Sequence, residues 1–236
     1  MSTYQSMMRI SDAQIREIET NLDLFNAFLY TTGKRSRMEQ LADIQERGTH
    51  DIFQTGHGYV VAPKNSRISV VLSAVPWYTR LWNFFSRQSA TMKIERPAPP
   101  TIPSHWQPFD ESKDQCNLDQ EFDLIFYLFA DCKMPGTPPL NFMLGTWGRA
   151  VNPDSGCLYV AADKVGEIIA AVEAVPEETL RKRYVDTEHL EALGCGYASD
   201  LEGDEYDQHI GGVIANMRQF LHHVRDKGDG MLIQLG

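Results

Sequence analysis

The segment YASDLEGDEYDQH, residues 197–209, sets Asp200, Glu202, Asp204, Glu205 and Asp207 within eight positions, and no Lys or Arg occurs between Arg183 and Arg218. Carboxylates at this density can hold a hard cation, share a proton in acid–base catalysis, or present a negative surface. A calcium loop needs oxygen ligands at set positions around a turn glycine, and SDLEGDEYDQH lacks that spacing. Acid–base catalysis needs one carboxylate desolvated so that its pKa separates from its neighbour's, which a crowded hydrophilic run opposes. A solvated loop ahead of a helix fits the composition, with Asp204, Glu205 and Asp207 placed to favour the positive end of the helix dipole. An acidic docking surface fits it as well. With no countercharge nearby in sequence, the field of the run reaches about a Debye length, ~8 Å at physiological salt, and steers a basic partner. The five acids are the candidate partner-binding residues.

Other chemistry-bearing patterns fall short. Gly33 and Lys34 in TTGKRSR lack the glycine five positions before Gly33 and the Ser or Thr directly after the lysine that a P-loop needs. His57 between the glycines of TGHG lacks the strand–GxGxxG–helix context of a dinucleotide site and reads as a turn. PDSG around Ser155 has no glycine ahead of the serine, as a nucleophile elbow requires, and neither HExxH nor a DxDxDG loop occurs. His222 and Asp226 share a helix face, where a His and a carboxylate can bind metal or move a proton. They and His223 also sit in a last helical turn beside Arg225 and Lys227, where such groups complement the helix C-terminus. The latter reading is the expectation. No catalytic, cofactor-binding or metal-binding residue is assigned, and no cofactor is expected.

Composition narrows the class. The chain has 236 residues, 42% of them hydrophobic, enough for one substantial core. Its formal net charge of −10 repels phosphate backbones and anionic membrane surfaces, so neither nucleic acid nor membrane is an expected partner. MSTYQSMMRISDAQ carries no signal-peptide pattern and no apolar run reaches the ~18 residues of a membrane span, so a cytoplasmic location is expected. Cys116, Cys132, Cys157 and Cys195 form no CxxC pair and read as reduced, mostly buried thiols.

The elements follow from periodicity. YQSMMRI reads as a strand. Ser11 and Gln14 then form a capping box, and Ile15, Ile18, Leu22, Phe25 and Leu29 give one or two amphipathic helices. From about 31 to 117 the pattern loosens and seven of the twelve prolines accumulate, which predicts a surface-running connection in which DIFQTGHGYVVAP and SRISVVLSAVPWYTRLWNFFSRQ can each hold a short strand or helix. The aromatic stretch WYTRLWNFF, residues 77–85, carries one charge, Arg80, and reads as buried rather than as an anchor. Asn117 and Gln120 suggest a second capping box before a helix with Phe122, Ile125, Phe126 and Phe129 on its buried face. PPLNFMLGTWG suggests a strand. GCLYVAADKVGEIIAAVEAV suggests a strand running into a helix, and Pro176 starts another. Ile210, Val213, Ile214, Met217, Leu221 and Val224 predict a long helix stopping at Gly228, before a final strand MLIQL. Terminal strands separated by helices predict an α+β fold in a single domain, with a mixed sheet, packed amphipathic helices and a large irregular insertion.

Two blocks carry a resemblance. MMRISDAQIREIETNLDLFNAFLY is similar to the opening strand and paired helices of the YfbM-like family, bacterial domains of unknown function. The segments LDQEFDLIFYLFA, PLNFMLGTWGRAV, YVAADKVGEIIAAVEAVPEETLRKRYVDTEHL and DGMLIQLG resemble its later helices and strands. The order and spacing carry the match over about 140 to 150 residues. Against the family pattern, the proline-rich region is longer and a phenylalanine-rich face replaces the tryptophan of the middle helix. The resemblance implies an α+β fold over 1–236, with an insertion at about 31–117, and supplies no catalytic residues. The expected function is that of a non-enzymatic binding protein of immunity type, which neutralises a cognate antibacterial toxin by direct binding through its acidic surface. The alternatives are an enzyme or small-ligand module whose pocket is assembled from distant residues, and a homo-oligomeric scaffold.

Overall fold

The computed structural model describes residues 5–21, 23–32, 37–55, 58–63, 98–119, 121–144, 147–152, 157–196, 198 and 205–235. Two compact units emerge, residues 1–33 with 101–236, and residues 34–100. The second runs through the sequence anticipated as an irregular connection. It holds the helix α3 (Arg37–Arg47) and the hairpin β2 (His50–Thr55) with β3 (Gly58–Pro63), paired from Thr55↔Gly58 to His50↔Pro63, with Leu41, Ala42 and Ile52 forming its core. Regular elements therefore occur within this connection, the helix where MEQLADIQER carries apolar residues at helical spacing. Residues 66–88, with the aromatic stretch 77–85, lie outside the described residues.

The first unit opens with β1 (Gln5–Ile10), α1 (Asp12–Thr20) and α2 (Asp23–Thr31). The capping box at α1 is formed: the N–H of Gln14 donates to Ser11 Oγ at 3.2 Å and the N–H of Ser11 to Gln14 Oε1 at 3.0 Å. An extended Asn21 ends α1, and its Oδ1 accepts from the N–H of Asp23 at 3.1 Å, restarting the helix as α2. After the second unit come a single turn α4 (Glu111–Asp114), β4 (Gln115–Asp119) and α5 (Phe122–Ala130). Asn117 is therefore a strand residue and not a cap. Glu121 precedes α5 without a side-chain cap, and Asn117 pairs with Ser6 of β1 instead. A 3₁₀ turn (Leu140–Leu144) replaces the strand expected there, and β5 (Arg149–Asn152) begins only after Gly148. Then follow β6 (Cys157–Val160), α6 (Ala162–Glu173), α7 (Glu177–Val185), α8 (Thr187–Leu193), a π-helical turn (Asp207–Gly211), α9 (Gly212–Lys227) and β7 (Gly230–Leu235).

The sheet runs β4-β1-β7-β6-β5, and every pairing in it is antiparallel. The fold is α+β as expected, but the sheet is antiparallel rather than mixed. The period of two divides its residues between two helical layers. Met7, Cys116, Leu118, Val160, Met231 and Ile233 face α5, α6 and α9. Met8, Ile10, Tyr159, Cys157 and Leu232 face α1, α2 and Trp106. The register Met7↔Ile233 and Met8↔Leu232 keeps both faces apolar, so a one-residue slip would turn each face inside out. Gly230 lets β7 cross β6 closely: a Cβ there would lie 2.5 Å from the carbonyl oxygen of Val160. Cys116, Cys157 and Cys195 are buried free thiols, and Cys132 is half-buried. Among the described residues no helix is long and apolar enough to cross a membrane.

Candidate functional site

Two places gather polar side chains in the first unit. One is a cleft of about 280 Å³ walled by Arg9 at the end of β1, the first turns of α1, the end of α2, residues 105–109, and Lys227 and Asp229 after α9. Local chain features deliver each wall. Gly228, at φ 68°, closes α9 with its N–H on Arg225 and Val224 carbonyls, and the N–H of Asp229 then returns to Val224 O at 3.1 Å. That turn carries Lys227 and Asp229 to the mouth of β7. Asp110 caps α4, and its own N–H donates to Asp114 Oδ2 at 2.9 Å, so one helical turn presents Asp114 to Arg9.

Arg9 is the floor. Its Nε donates to Asp114 Oδ1 at 2.5 Å, its Nη2 to Asp114 Oδ2 at 3.0 Å, and its Nη1 to Asp229 Oδ2. His223 Nε2 meets Asp114 Oδ1 at 2.9 Å. Burial works to raise the Asp114 carboxyl, but Arg9, the Asp110 N–H and His223 outweigh it and hold the group at about 2. The hydrogen bond to Asp114 raises the Arg9 pKa further. On the opposite wall, Glu17 pairs with His105 Nε2 at 2.9 Å and accepts from Trp106 Nε1 at 2.9 Å, and these bonds lower its pKa. Phe28 meets Trp106 and Phe109 edge-on, with ring centroids 6.3 and 6.2 Å apart.

The other place is the acidic segment. Asp200, Glu202 and Asp204 lie outside the described residues. Glu205 and Asp207 are exposed ahead of α9. The expectation that the run has no countercharge holds along the sequence but not in space. Arg181 of α7 grips Asp207, Nη1 reaching Oδ2 at 2.9 Å and Nη2 reaching Oδ1, while its guanidinium lies 4.6 Å from the centre of the Tyr206 ring. The pair lowers the Asp207 pKa. Behind it, Tyr184 is fully buried and meets His209 Nδ1 at 3.2 Å.

The histidines near the end of α9 have partners rather than each other: His222 Nε2 meets Glu173 at 2.7 Å, and Asp226 pairs with Arg225. His223, the next residue, reaches the Arg9–Asp114 pair instead. Among the described residues no group of three or more His, Cys, Asp or Glu could hold a metal ion. Gly33, Lys34, His57 and Ser155 lie outside the described residues. Sequence reasoning missed the cleft altogether. Arg9 lies within β1 and Asp229 just ahead of β7, which is a signal only once β1 and β7 are known to be neighbours.

An antiparallel sheet between two helical layers, with a charged cleft at the shared end of β1 and β7, defines an α+β domain. Residues 1–234 match the family model of a domain of unknown function, DUF1877. The chain belongs to that family, the YfbM-like family. Among solved structures it is similar to the protein of unknown function YfbM from Escherichia coli, at 9% identity and a TM-score of 0.48, with 98% of each chain covered. No curated protein matches the chain.

Proposed function

We propose that the protein acts by recognition rather than turnover, as a cytoplasmic immunity protein that neutralises a cognate antibacterial toxin by direct binding through its acidic surface. One observation supports the first half: three charged groups of the cleft, Asp114, Glu17 and Arg9, are held in their charged forms by their partners. Asp114 is held at about 2, Glu17 is lowered and Arg9 is raised. A general acid or base works best with a pKa near the operating pH, and these shifts run the other way.

The choice of a basic protein partner follows from the net charge of −10 and from the exposed Glu205 and Asp207. Asp207 is partly neutralised by Arg181, so the remaining acids of the segment would carry most of the steering.

The neighbouring gene supplies the test. A secreted effector encoded beside this protein should kill a susceptible host when its toxic domain is expressed alone, and co-expression of this chain should restore growth and yield a stable complex. Equal killing with and without the chain would refute the immunity role, and a neighbourhood of metabolic genes would favour an enzyme.

A further inference from the structure

We draw no further inference here: the strongest candidate, the cluster of Glu177, Arg181, Tyr206 and Arg218 between α7 and α9, has its two arginines balanced by the carboxylates of Asp207 and Glu177 and belongs to the acidic surface already described.

Discussion

Arg9 Nε donates to Asp114 Oδ1 at 2.5 Å across 105 positions of sequence, and the two side chains are only 10% and 4% exposed. The pair ties the end of a central strand to the turn that begins the edge strand β4. Removing one partner strands the other, and a buried charge without its counterion is costly. Arg9→Met should therefore destabilise the fold by about 3 to 5 kcal/mol, measured by denaturant unfolding. Pairing it with Asp114→Asn should recover part of the loss, because the double change removes the orphaned carboxylate.

The same pair sets an acid dependence. Asp114 ionises at 3.8 when unperturbed and at about 2 in the fold, so the folded state takes up its proton less readily than the unfolded chain. The stabilisation is fully present above about pH 4 and is lost as the pH falls towards 2. Its size should be about 1 to 2 kcal/mol once solvent screening is allowed for. Unfolding free energies measured through this window should fall for the wild type and fall less steeply for Asp114→Asn.

Phe126 of α5 is fully buried, and its ring lies 2.7 Å from where a Cβ on Gly136 would sit. Phe126→Ala should cost about 3 to 5 kcal/mol through the cavity it leaves. Gly136→Ala should also destabilise, by about 1 to 3 kcal/mol, because φ is 66° and the added methyl meets the ring. A denaturant midpoint unchanged in either variant would contradict the packing described.

What the sequence made legible was local. The Ser11–Gln14 capping box, the apolar stripe from Ile210 to Val224 and the stop at Gly228 each depend on residues a few positions apart, and each formed. Asn117 misled because its cap-like spacing to Gln120 is local, whereas its place in β4 is fixed by pairing with Ser6, far away in sequence. LNFML has strand-like composition, yet its short 3₁₀ turn buries Phe142 and Met143 beside α5. The cleft was illegible for the same reason: Arg9, Gln14, Trp106 and Lys227 meet only after the sheet order places β1 beside β7.

Arg181 offers a change that separates stability from the electrostatic field. It is 45% exposed and its partner Asp207 is 69% exposed, so Arg181→Ala should leave the denaturant midpoint nearly unchanged. Freed of its countercharge, Asp207 would add to the negative field. Association with a basic partner should then become faster at low salt than for the wild type, with the gain vanishing as salt is added. A slower association would assign Arg181, rather than the acids around it, to the contact.

The most direct measurement of the proposed role is the association rate of this protein with the toxic domain of a candidate effector encoded beside it, followed by stopped flow at low and high salt. The comparison is between the wild type and a variant in which Asp200, Glu202, Asp204, Glu205 and Asp207 are changed to Asn or Gln. The variant should fold normally, associate about ten to a thousandfold more slowly at low salt, and approach the wild type as salt screens the field. Equal rates at low salt, with binding intact in both, would contradict an acidic docking surface.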